Sequence, residues 1–138
     1  MIKIQKKDFN IETEIKNLKN NHTNIGAVNA FIGYVRDFNN QKDVKYLDLE
    51  VYKEMATKEL SEIKDKAMQN WDLVDCLIIH RYGKLYVNEK IVLVVCFSEH
   101  RNNSFEACKF IMDFLKKDAP FWKKEFYVEG SSWLQNIS

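Results

Sequence analysis

The stretch Ile91–Val128, IVLVVCFSEHRNNSFEACKFIMDFLKKDAPFWKKEFYV, changes rhythm three times, and those changes decide the fold. Ile91–Ser98 is the most apolar run in the chain, the signature of a central strand. Past His100 the apolar residues recur at helical spacing as far as Lys117. Asn103, with Glu106 three residues later, has the pattern of a helix N-cap and its reciprocal partner. Pro120 is the only proline and ends the helix, because the residue before a proline is pushed out of the helical region. Phe121–Val128 then reads as extended. Strand, helix and strand follow one another within a few dozen residues.

Upstream the same alternation continues. Asn10–Asn20 places Ile11, Ile15 and Leu18 on one helical face. Ile25–Arg36 reads as a strand with Gly26 and Gly33 as points of bending or close backbone approach. Asp37–Asp43 is a polar loop. In Val44–Tyr52, Leu47, Leu49 and Val51 share one face and Tyr46, Asp48, Glu50 and Tyr52 the other. Met55–Trp71 is the longest expected helix, Leu73–His80 a buried strand, and Gly83 and Val87–Lys90 supply turns. Hairpin-like connections mix with helical ones, which predicts an α+β fold with a mixed, largely antiparallel sheet and flanking helices.

The chain has 138 residues, 46% of them hydrophobic and 30% charged. That suits one domain over residues 1–138, with a real core and a polar surface. No apolar run reaches the ~20 residues of a membrane span, and no signal-peptide core is present, so the expectation is a cytoplasmic protein without membrane contact. The net charge of +1 and the lack of an RNA-binding signature argue against a nucleic-acid partner. Cys76, Cys96 and Cys108 are widely spaced, with no CxxC and no Cys/His cluster. They read as buried free thiols, with no metal site and no disulfide framework.

The chemistry-bearing residues gather around the helix before Pro120. His100 and Arg101 precede its start, where an imidazole, a guanidinium fork and free helix N–H groups favour an anion. Lys116 ends it, and Lys123 follows the proline. Two amines facing one cationic pocket would have lowered basicity and serve as acid, base or nucleophile. The plainer alternatives are helix-end lysines favoured by the macrodipole and a capping loop at His100. Lys109, Lys117 and Lys124 read by default as solvated surface. Arg36 ends a strand and reaches either its own site or that of a neighbouring subunit. Phe31, Tyr34, Met112, Phe114, Phe121 and Trp122 are mostly core, with one or two left to wall a pocket.

In this order, GAVNAFIGYVRD, LEVYKEMATKEL, IIHRYGKL, SEHRNNSFEACKFIMDFLKKDAPFWKKE and EGSSW resemble the large, catalytic subunit of molybdopterin synthase over nearly the whole chain. The resemblance implies an α/β-hammerhead type of α+β domain. It implies a sulfurtransferase that converts cyclic pyranopterin monophosphate to the molybdopterin dithiolene. The sulfur would come from the C-terminal Gly-Gly thiocarboxylate of a small ubiquitin-like carrier subunit. It further implies a homodimer of large subunits within a heterotetramer, and no cofactor. By motif, Lys116 and Lys123 match the catalytic lysines, with Lys116 expected nearest the sulfur-transfer centre and Lys123 positioning substrate and sharing acid work. His100 and Arg101 match a substrate-binding pair, and Arg36 an arginine that the family places in the site, reaching across the dimer. Tyr34 and Val35, which precede Arg36, and Lys124 and Glu125, which follow Lys123, are assigned to substrate binding with them. Tyr52-Lys53-Glu54-Met55 stands where the family commonly has Tyr-Pro-Gly-Met, a change in a turn. The competing expectation is a non-catalytic module that binds a ubiquitin-like tail or a phosphorylated ligand in the same basic pocket.

Overall fold

A computed structural model describes residues 1–39, 42–117, 120–127 and 130–134. Its centre is β7 (Lys90–Ser98), whose residues from Ile91 onward are all buried. On one side β7 pairs antiparallel with β5 (Asp75–Arg81), and on the other with β2 (Ala27–Tyr34); β1 (Ile2–Gln5) adds to β5 in parallel. The order of this sheet is β1-β5-β7-β2. Side chains alternate between its faces. Leu77, Ile79, Leu93, Val95 and Phe97 pack on α1 (Ile11–Lys19) through Leu18, Ile11 and Ile15. Cys76, Ile78, Val92, Val94 and Cys96 face the opposite way, into the larger core with Leu60 and Ala67 of α2 (Lys53–Trp71) and Ala107, Ile111 and Leu115 of α3 (Arg101–Lys117).

The second sheet is built on β4 (Lys42–Val51), which pairs antiparallel with β6 (Gly83–Tyr86) and with β8 (Phe121–Tyr127). β9 (Gly130–Leu134) borders β8, and β3 (Phe38–Asn39) closes a hairpin onto the start of β4. Leu47, Leu49, Leu85 and Phe121 carry this sheet into the larger core. Each such buried side chain contributes about 1.5–3 kcal/mol.

The α+β class and the mixed, mainly antiparallel pairing agree with the sequence reading, as do the two long helices and the central strand. Four strands were not expected as strands: β1, β3, β6, which begins at Gly83 where a turn was expected, and β9. They have at most five residues each, too short for a period-2 pattern to stand out. β3 lies inside the stretch expected to be a polar loop; Asn40 and Gln41 of that stretch, and Asp118 and Ala119 of the Pro120 turn, lie outside the described residues. The α3 start also differs. The helix begins at Arg101, so Asn103 sits within its first turn and does not cap it. Only two residues separate β7 from the helix, and the Ser98 hydroxyl donates to the His100 carbonyl at that corner. The short link turns the chain into the helix before Asn103 is reached. Gly26 behaves as expected: a Cβ there would collide with the backbone carbonyl of Glu99. At Gly33 it would press on Val92 at 2.9 Å, beside a bulge in the β2–β7 register.

Candidate functional site

α3 lies along β2 and places the candidate residues at two poles. Near its start, Arg101, Asn102, Ser104 and Phe105 line a cavity of about 280 Å³ with Ala27, Val28 and Asn29. Midway, Cys108 interacts with Asn29 and the backbone of Phe31 on β2, and its Sγ approaches the Val94 carbonyl at 3.9 Å. The helix therefore runs in the same direction as β2, and its far end lies toward Tyr34. At about 1.5 Å of rise per residue, Arg101 and Lys116 are roughly 22 Å apart along the axis.

His100 and Arg101 form the first pole. Both are exposed, and they stand at the start of a 17-residue helix whose unpaired N–H groups and dipole favour an anion. Lys116, Lys123 and Arg36 belong to the second pole. Lys116 is exposed in the last turn of α3. Arg36 is exposed just beyond β2. Val35 is buried, its N–H donating to Glu89 O (3.0 Å) and its carbonyl accepting from Asn88 N–H (2.9 Å), so it anchors the backbone from which Arg36 projects. Tyr34 beside it is half exposed. Along one chain's helix the His-Arg corner and Lys116 stand too far apart to line one small cavity.

Lys123 differs from the other cations in being buried, with 4% of its surface exposed. Its backbone sits in the middle of the second sheet, opposite Leu49 on β4 and Leu134 on β9. Phe121, two residues earlier on the same strand face, lies flat on His80 of β5, with ring centroids 3.7 Å apart and 16° between planes. His80 pairs across the first sheet with Val92. The start of β8 is thereby fixed against the end of the first sheet where β2 finishes.

His80 has no exposed surface. Its Nδ1 is 2.8 Å from the Arg81 carbonyl, a geometry that requires Nδ1 to donate and leaves Nε2 as a bare acceptor. Nε2 finds no hydrogen-bond partner among the described residues. Burial pushes the imidazole down to about 4, and the nearby charge of Lys123 pushes the same way, against the carbonyl contact that favours protonation. His80 was not among the residues expected at the site. Its inward position on an apolar strand, LIIHR, was the available signal.

Lys124 points to the other face of β8, over the Phe126 ring at 5.3 Å; Phe126 stacks on Tyr46, with Tyr86 beyond it. It does not join Lys123. Glu125 lies on β8 opposite Leu47 and Ser132; its side chain lies outside the described residues. Of the aromatic and soft apolar residues considered as core or pocket wall, Phe121 is buried and Met112 and Phe114 pack on the core, whereas Phe31, Tyr34 and Trp122 are exposed. The three cysteines are free and buried together, with Cys76 and Cys96 directly across the β5–β7 pair. Hydrogen bonding from Cys108 and Cys76 and burial push the Cys96 thiol far up, which suits core packing better than nucleophilic work.

Comparison with known proteins sets this geometry in a family. The family model described as MoaE protein matches residues 4–118. The chain belongs to the MoaE family. A relative from Ralstonia nicotianae, named a molybdopterin synthase catalytic subunit, is 50% identical over 133 residues, covering 96% of this chain and 76% of that one. The crystal structure of molybdopterin synthase from Staphylococcus aureus superposes with a TM-score of 0.89 at 30% identity, covering 96% of this chain and 95% of that one. A complex of subunits 1 and 2 of molybdopterin-converting factor from Helicobacter pylori matches with a TM-score of 0.81 over 99% of this chain and 92% of that one, at 21% identity, a likeness of fold alone. The resemblance carried by the GYVRD and APFWKKE motifs therefore extends to the family and to the fold.

Proposed function

We propose that the chain, acting as one domain in the cytoplasm, is the large, catalytic subunit of a molybdopterin synthase. It takes sulfur from the C-terminal thiocarboxylate of a small ubiquitin-like carrier and inserts it into cyclic pyranopterin monophosphate to form the dithiolene. The observation that carries this reading is the lysine pole: a buried amine, Lys123, and a helix-end amine, Lys116, on either side of Pro120. The carrier supplies the sulfur nucleophile, so the enzyme must supply cations and protons. Lys116 donates a proton or stabilises developing negative charge at the reacting centre. Lys123 positions substrate and shares that work. The buried thiols agree with a sulfur source outside the chain. The Helicobacter pylori complex, in which two subunits of a converting factor are joined, supports a small-subunit partner.

The separation of the poles bears on assembly. A span of roughly 22 Å exceeds what one phosphorylated pterin bridges. Two copies related by a two-fold axis would bring the first pole of one beside the second pole of the other. The edge strand β2 offers the surface for this, since Val28, Phe31 and Tyr34 are exposed along it and an open strand edge invites pairing. In such a homodimer His100 and Arg101 of one copy hold the substrate phosphate while Lys116, Lys123 and Arg36 of the other face the carbons that receive sulfur.

Reconstitution tests the reading. The chain is mixed with thiocarboxylated carrier and cyclic pyranopterin monophosphate, and dithiolene product is assayed. Product formation that collapses in Lys116→Ala and Lys123→Ala is the expected result. Saturable binding of the carrier tail without product would favour the non-catalytic module instead.

A further inference from the structure

A buried acceptor with no partner is uncommon, because taking it out of water costs stability that a hydrogen bond would otherwise return. Among the described residues His80 Nε2 is such an acceptor, and its surroundings explain why it stays so. The Arg81 carbonyl fixes the tautomer, and the flat contact with Phe121 fixes the ring. Phe121 and Lys123 stand on one face of β8, two residues apart. Lys123 is the charged side chain whose field reaches the ring. A neutral, immobile lone pair therefore lies beside a buried ammonium group.

We propose that His80 is a positioning residue for Lys123: its Nε2 is held in reserve to accept a hydrogen bond from the Lys123 ammonium and so sets where that amine stands in the site. This rests on the reading of Lys123 as a working residue of the sulfur-transfer site. His80 does not take the proton, because its basicity lies far below that of a lysine amine. It favours the charged form of Lys123 and directs it. A cationic residue in this place would repel the ammonium, and an apolar one would offer it nothing.

Two variants separate the lone pair from the ring. His80→Phe keeps a flat ring on Phe121 and removes the acceptor. His80→Gln keeps an acceptor at about the reach of Nε2. The Lys123 Nζ is titrated by NMR on the isolated, isotope-labelled chain, a readout that needs neither partner nor substrate. In His80→Phe the Lys123 pKa is expected to fall by roughly half a unit or more, since an acceptor for the charged form is lost, and His80→Gln is expected to restore most of it. In the reconstituted synthase, kcat is expected to drop about tenfold in His80→Phe with KM within about twofold, and to recover in His80→Gln. An unchanged Lys123 titration in a folded His80→Phe chain overturns the proposal, as does His80→Gln falling as far as His80→Phe. Should His80→Phe not fold, His80→Leu takes its place with the same expectations. If the parent chain itself makes no product, the proposed function fails, whereas the Lys123 titration still judges His80.

Discussion

The two ends of α3 hold positive charge in opposite ways. At its start, His100 and Arg101 are open to solvent, and their attraction for an anion adds to that of the helix N-terminus. Holding them there costs little, and what they bind can leave easily. At the far end, Lys123 is enclosed between two sheets, where an ion loses its hydration and must be compensated by its surroundings. The chain accepts that cost and places a neutral imidazole close by. Exposed cations suit capture of a phosphate; an enclosed amine suits chemistry, because its protonation and position are set by fixed neighbours. The first pole should therefore show in KM and the second in kcat.

The largest effect expected is at the second pole. Lys116→Ala should lower kcat by about 10²–10⁴-fold, the usual range for a lost general acid or base. Lys109→Ala on the same helix, whose amine pairs with the exposed Asp113, should stay within about twofold. Equal losses in the two variants would remove the special role given to Lys116. Lys123→Ala should fall in the same large range, measured by single-turnover product formation.

Mixing variants sharpens the comparison further. Assayed at substrate well below the parental KM, where Arg101→Ala chains retain about a tenth of the rate or less, Arg101→Ala and Lys123→Ala chains unfolded and refolded together should regain about a quarter of parental activity. Half of the dimers would be mixed, and each mixed dimer would hold one intact composite site. No recovery would mean that each chain completes its own site. Arg101→Ala alone should raise KM about tenfold with a smaller change in kcat, since it removes a phosphate contact made before chemistry. Added salt should raise the parental KM in the same direction.

The smallest effect concerns stability and tests the enclosure directly. His80 holds its proton only below about 4 in the folded chain, against 6.5 for an ordinary imidazole. Between those values the unfolded chain binds more protons, so acid favours unfolding. Stability should be complete above pH ~6.5 and fall by roughly 1 kcal/mol per pH unit as pH drops toward 4. Denaturant titrations at a series of pH values should show this slope, and it should flatten in His80→Gln. A parental slope indistinguishable from that of His80→Gln would place the ring in contact with water.

Much of this molecule was readable from residue order. The Ile91–Ser98 run, the helical spacing ahead of Pro120 and the extended segment after it all appear as read, because a fully apolar run, a 3.6-residue period and a proline are local signals. The placement of Lys116 in the last turn of α3 and of Arg36 just past β2 was equally local. The family motifs named the candidate residues, and the MoaE match agrees with the family to which they pointed.

Position in space was another matter. Sequence suggested one cationic cavity with the His-Arg corner and both lysines, but an α-helix is a rigid spacer, and α3 holds its two ends apart. Lys123 and Lys124 are neighbours in sequence and lie on opposite faces of β8, because a strand turns each successive side chain over. His80 reaches the lysine pole through its ring contact with Phe121, between residues some forty positions apart (80 against 121). Local patterns therefore settled which segments coil or extend and which residue types carry charge. Which charges are buried, and which share a site, came from packing between distant strands, and that information is spread over the whole chain.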